Sequence, residues 1–150
     1  MGRHTWSYRL LLSFVAVTLL CIGCDKMDCN NGLDGQWQMT EWKLPNGDVK
    51  ESKPQIYYCF QLDMMIFKRP SNNSSNQFAQ HISPFENKGS HIVVKAPLKY
   101  VGGGHDVELP MSELKVYGVP ENGDMTVEEL TSDRLVLRSD QYGTLIFRKY

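Results

Sequence analysis

Gln55-Ile56-Tyr57-Tyr58-Cys59-Phe60-Gln61-Leu62-Asp63-Met64-Met65-Ile66 is the stretch whose periodicity decides the fold. Ile56, Tyr58, Phe60, Leu62, Met64 and Ile66 recur at every second position, while Tyr57, Cys59, Gln61 and Asp63 occupy the alternate face. A repeat of two fits a half-buried strand and not a helix. The spacing therefore predicts one strand beginning near Gln55, with Tyr58, Phe60, Met64 and Ile66 turned inward as core or pocket lining.

Working outward, the same chemistry recurs. Trp37 to Leu44 is rich in strand-forming residues, and Pro45-Asn46-Gly47-Asp48 stops it with turn formers. Phe78 to Phe85 and His91 to Ala96 read as strands joined across Glu86-Asn87-Lys88-Gly89. Val107 to Pro110 follows a run of three glycines. Met111, Leu114 and Tyr117 lie three apart between Pro110 and Gly118, which predicts a short helical turn. Met125–Leu130, Leu135–Arg138 and Thr144–Arg148 close the chain as three strands separated by turns. Short, evenly spaced strands with little helix predict an all-β, antiparallel up-and-down barrel of about eight strands.

The N-terminus carries an address. Arg3 and Arg9 precede the apolar run Leu10 to Ile22, too short to span a bilayer and followed at once by Gly23-Cys24. A small residue directly before cysteine resembles the bacterial lipobox, although Cys21 stands where leucine is usual. The resemblance implies cleavage after Gly23, diacylation of Cys24, and residence in the cell envelope, with the outer membrane as the expected home. Residues 1–23 are then a signal peptide, 24–34 a lipidated tether and 35–150 one folded domain. Leu-rich residues 10–22 leave with the signal, and so do Arg3 and Arg9. The remainder holds 14 basic against 17 acidic side chains, a formal charge of −3. That balance offers no clustered positive surface for nucleic acid. Two cysteines, Cys29 and Cys59, remain after Cys21 and Cys24 are accounted for, and they are a disulfide candidate in an oxidising compartment; two separate thiols are the alternative.

Gly35-Gln36-Trp37 at the head of the first strand resembles the Gly-x-Trp opening of lipocalins and other calycins, and Leu145-Ile-Phe-Arg-Lys-Tyr150 resembles their last strand. Ile56 to Leu62 and Val127 to Leu137 are similar to lipocalin-like lipoproteins of Gram-negative bacteria. The resemblance spans Gly35 to Tyr150. It implies a barrel closed at one end by Trp37, with a basic residue from the end of the chain packed on the indole. Arg148 is the residue carried over to that role, with Lys149 next. On the same resemblance Trp42 belongs to the outer face of the first strand, with Gln36, Gln38 and Thr40.

No catalytic motif stands out. His81, His91 and His105 are scattered, and Asp106 beside His105 is the one adjacent acid and histidine; no nucleophile motif accompanies them, so no enzyme is expected. No cysteine or histidine spacing suits a metal, and no cofactor is expected. Two functions survive. One is a lipid-anchored module whose barrel takes a small hydrophobic ligand. The other is a lipoprotein with a side-chain-filled barrel that presents its surface to an envelope protein partner. A membrane-spanning barrel is excluded because the strands are too short and lack a lipid-facing apolar band.

Overall fold

The computed structural model describes residues 29–71, 78–100 and 106–150. Within them the chain forms β1 (Gly35–Lys43), β2 (Val49–Ser52), β3 (Tyr57–Gln61), β4 (Met64–Pro70), β5 (Phe78–Asn87) and β6 (His91–Val94). There follow β7 (Leu98–Tyr100), β8 (Asp106–Glu108), a 3₁₀ helix (Met111–Tyr117), β9 (Asp124–Leu130), β10 (Arg134–Ser139) and β11 (Gly143–Lys149). The signal segment, Cys24, the glycine run and His105 lie outside the described residues.

Eight strands close on themselves in the order β1, β3, β4, β5, β6, β9, β10, β11, every neighbouring pair antiparallel. This is the up-and-down barrel expected from the strand spacing. Closure gives each of the eight strands a partner on both sides over at least part of its length. β2 adds to the far half of β1, and β7 with β8 forms an arm along the outside of β5; neither β2 nor β7 is expected from sequence, because four and three residues are too few to show a period.

The helix Met111–Tyr117 is where residues three apart predict it, and that spacing suits a 3₁₀ helix, which has three residues per turn. Gly118 ends it at φ 89°, in the left-handed region. A Cβ there would sit 3.0 Å from the Leu145 methyls and 3.1 Å from the Trp42 ring. Glycine is thus needed both for the turn and for the close approach of the two elements.

Three expectations are corrected. Gln55 to Ile66 is not one strand. Leu62 and Asp63 form a two-residue turn between β3 and β4, with Gln61 opposite Met64, Phe60 opposite Met65 and Tyr58 opposite Phe67. Such a turn switches the inward set from even to odd positions, so Met65 and Phe67 join Tyr58 and Phe60 inside, whereas Met64 and Ile66 point out. Second, Trp42 faces inward. The β1–β11 ladder slips between Met39 and Glu41, leaving Thr40 as a bulge, and the extra residue returns Trp42 to the core side. Third, the folded part starts before Gly35: Asn30 and Leu33 are buried.

Each end of β1 carries one buried tryptophan. Trp37 Nε1–H donates to the Leu33 carbonyl at 2.7 Å, and Trp42 Nε1–H donates to the Tyr142 carbonyl at 2.9 Å. Arg148 does not cover Trp37. It pairs with Gln38 on the outer face, where its Nη2 lies 2.7 Å from Gln38 Oε1, because register places Arg148 opposite Gln38 and Lys149 opposite Trp37. Lys149 Nζ sits 4.2 Å from the indole centroid and donates to the carbonyls of Gly32 and Asp34.

Trp37→Ala and Trp42→Ala should each lower unfolding stability by about 3–5 kcal/mol, as truncation of a core tryptophan does. Arg148→Ala should cost no more than about 1 kcal/mol, being an exposed pair. Urea denaturation followed by circular dichroism reads all three; a neutral Trp42→Ala would show that the bulge at Thr40 does not bury the ring. Leu62 adopts φ 55° at a turn position. Relief of that strain, less the extra chain entropy of glycine, should make Leu62→Gly more stable by up to about 1 kcal/mol in the same assay.

Candidate functional site

The first place to look for a site in a barrel is its interior, and here the interior is occupied by the protein's own rings. Tyr58 stands at the centre, its ring 4.8 Å from that of Phe67 and 4.7 Å from that of Phe147. Phe67 in turn meets Tyr117 at 5.4 Å, and Phe60 meets Phe85 at 5.4 Å. Such edge and tilted contacts add to area burial as the ring quadrupoles align. Tyr58 Oη–H donates to the Tyr117 carbonyl at 2.8 Å, which satisfies a hydroxyl that water cannot reach. Of the four residues expected to line the barrel, Tyr58 and Phe60 do so; Met64 and Ile66 are on its outer wall.

Both ends are covered. At one end Leu33 and Trp37 pack beneath Lys149; at the other the 3₁₀ helix inserts Leu114 and Tyr117, followed by Val119. Among the described residues one buried polar side-chain atom has no partner: Ser83 Oγ, on the inner face of β5 opposite Met65.

A polar cluster sits where the helix meets β4 and β5. His81 Nδ1 lies 3.0 Å from Tyr117 Oη, and His81 Nε2 lies 3.9 Å from Glu113 Oε2. Arg69, Ser71, Ser112 and Lys115 join them around a cleft of about 330 Å³. Sequence reading leaves His81 as one of three scattered histidines. The missed signal is its place in β5, two residues before Ser83 and four before Phe85, on the inward face. An acid, a histidine and a phenol in line could relay a proton. Burial, however, pushes the Tyr117 hydroxyl up from its ordinary value, against the opposing pull of Arg69, so it is no ready nucleophile at neutral pH.

Two larger clefts lie on the outside. One of about 600 Å³ is lined by polar groups, among them His91 and Asp124, whose Nδ1 and Oδ1 are 3.0 Å apart, and Glu128 with Arg138. The other, of about 820 Å³, runs over the outer face of β1, β3 and β4 past Gln36, Cys59, Leu62, Ile66 and Lys68. Cys59 and Cys29 are both free thiols, so the structure holds no bridge between them: Cys59 projects from the outer wall beside Gln36, and Cys29 is exposed at the start of the described chain. Burial raises the Cys59 thiol while Lys68 partly offsets it. Asp106, named for its neighbour His105, is exposed on β8. Among the described residues no three histidine, cysteine or acidic side chains are placed to hold a metal.

The two core phenols make a pH prediction. Burial, and then the neighbouring Tyr117, push Tyr58 far above the usual phenol range, and Tyr117 is raised likewise. Both folded values exceed the unfolded one, so their contribution is fully present below about pH 10 and is lost as pH rises beyond it. Urea midpoints should therefore hold level with respect to these groups from neutral pH up to about 10 and fall above it, and Tyr58→Phe should blunt that alkaline fall.

Comparison with known proteins agrees with the barrel. A lipocalin-like domain model matches residues 18–150. Among solved structures, a lipocalin-like protein from Bacteroides uniformis superposes with a TM-score of 0.57 at 23% identity, covering 79% of this chain and 99% of that one. An uncharacterized protein from Bacteroides eggerthii does so with a TM-score of 0.56 at 24% identity, covering 79% and 99%. No curated protein matches this chain. With the family model spanning the whole of the described barrel, the chain belongs to the lipocalin-like domain family.

Proposed function

We propose that the protein is a lipid-anchored lipoprotein of the cell envelope, attached through Cys24, whose lipocalin-like barrel is a rigid carrier for an outer binding surface and not a container or an enzyme. The observation behind this reading is the packing of Tyr58 between Phe67 and Phe147, with its hydroxyl tied to Tyr117. A ligand of ordinary size needs roughly 300–1,000 Å³. The clefts of that size described above lie on the outside or at the rim, and an interior ligand would have to displace several buried rings. The partner on this reading is an envelope protein.

A second reading keeps the barrel as a carrier of a small hydrophobic molecule, as a lipocalin-like fold permits. It is favoured by Ser83 Oγ, a buried hydroxyl left without a partner inside the wall. A ligand oxygen or nitrogen reaching it would offset the roughly 1–3 kcal/mol that an unsatisfied buried polar group costs.

Native mass spectrometry of the protein extracted from its own cells separates the two. The first reading expects the mass of residues 24–150 plus acyl chains at Cys24 and nothing more; the second expects an additional mass that dissociates on activation. Cys24→Ala should move the protein from the membrane fraction to the soluble one, and an unmodified Cys24 would overturn the anchored reading.

A further inference from the structure

The outer wall of the barrel is polar on one flank and apolar on the other. On the polar flank Glu129 pairs with Arg134 at 2.9 Å, Glu128 with Arg138 at 3.3 Å, and Arg148 with Gln38. On the opposite flank the ladder sets Cys59 beside Ile66, Ile66 beside Ile82, and Ile82 beside Leu98, while Met64 stands beside Pro84. Residues directly opposed in an antiparallel pair share a face. Here the shared face is the outer one, since the alternating neighbours Phe60, Met65, Ser83 and Phe85 are all inside. Leu62, at the tip of the β3–β4 turn, extends the row and is 63% exposed; Ile82 is 41% exposed. Leu62 is doubly out of place for a soluble domain. It is a large apolar side chain in water, and it holds φ 55° where glycine or asparagine is the unstrained choice.

The position of this flank relative to the start of the folded chain says what covers it. Asn30 donates through Nδ2 to the Leu62 carbonyl at 2.7 Å, and its own carbonyl accepts from Asn87 Nδ2 at 3.1 Å. The chain is therefore pinned to the very turn that carries Leu62. Only four residues lie between Cys24 and Cys29, five Cα steps with a reach of at most about 18 Å. An acyl-anchored Cys24 holds the Leu62 end of the barrel at the bilayer, with the apolar flank beside it.

We infer that the outer face of β3, β4, β5 and β7, led by Leu62, Met64, Ile66 and Ile82, is a membrane-docking surface that lies in the interfacial layer of the bilayer. This rests on the anchored reading above. A helix or loop that lies in the interface buries its apolar face only into the headgroup and upper acyl region, and one flank of a barrel can do the same. The ion-paired flank of β9 and β10 then faces away from the lipid and is left for the envelope partner.

The test uses the full lipidated protein, purified from its own cells and reconstituted into phosphatidylcholine vesicles with acyl chains brominated near the headgroup. Ile82→Trp and Leu62→Trp each add an indole on the flank, and Val49→Trp adds one on β2, at the far half of β1. Emission is read as the difference from the unaltered protein. Docking expects the emission added by Ile82→Trp or Leu62→Trp to shift to the blue and to be largely lost in brominated vesicles. The emission added by Val49→Trp stays unshifted and remains open to aqueous iodide. If both flank indoles sediment with the vesicles yet stay fully open to iodide and untouched by bromine, docking is wrong and the anchor stands. If the unaltered protein floats free of vesicles with Cys24 unmodified, the anchored reading falls and docking falls with it. Quenching of the Val49→Trp emission to the same extent as that of the flank indoles would also overturn the assignment, because the barrel would then have no preferred face.

Discussion

The ladder between β1 and β11 joins Trp37 to Lys149 and Lys43 to Thr144, and it is the one pairing that turns a meander into a closed barrel. It links the two ends of the folded chain, so its loop-closure entropy must be met before any of its hydrogen bonds form. Once made, it decides much else. Lys149 is brought over Trp37, and its ammonium reaches the Gly32 and Asp34 carbonyls, which locks the entering chain across that end. The bulge at Thr40 belongs to the same ladder, and without it Trp42 would face water beside Thr144 and not pack on Gly118 and Tyr142. A non-local closure of this kind is slow to form, and the local hairpins β3–β4 and β10–β11 are the natural early elements.

With the walls fixed, the interior has to be filled. Small barrels of eight strands are just wide enough for side chains to meet in the middle. Tyr58, Phe67, Phe147 and Tyr117 do so as a ring cluster, and the 3₁₀ helix supplies the last of these from outside the wall. The fold that its relatives share thus serves here as a packed core. The outer wall divides into an ion-paired flank and an apolar one. Binary patterning ordinarily keeps the outside of such a barrel polar. β4 breaks that rule, since Met64, Met65, Ile66 and Phe67 are apolar on both faces.

That same break is why the sequence misleads at its most informative stretch. Period two runs unbroken from Ile56 to Ile66 because the turn at Leu62-Asp63 lacks the glycine or asparagine that would mark it, and because the outward residues of β4 are as apolar as the inward ones. No local signal distinguishes the two faces. Met64 and Ile66 were therefore assignable to the core by pattern, and only the pairing of Phe60 with Met65 and Tyr58 with Phe67 reverses them. His81 is a similar case. It belongs to an inward row by parity, but its meeting with Tyr117 and Glu113 depends on a helix more than thirty residues away.

What the sequence by itself determined is the class of fold and most of its strands: alternating apolar residues, turn formers at regular spacing, a helix with residues three apart, and Gly35-x-Trp37 at the head of the first strand. These are local signals, since strand period and turn chemistry act over a few residues. Only the tertiary structure decided which side of each strand faces in, because inward and outward are defined by partners and not by neighbours. A single bulge moved Trp42 into the core, a two-residue turn moved Met64 and Ile66 out of it, and one step of register gave the indole of Trp37 to Lys149 in place of Arg148. In a structure whose side chains alternate at every residue, a shift of one position in pairing exchanges core for surface, and the positions of such shifts are set by contacts across the barrel.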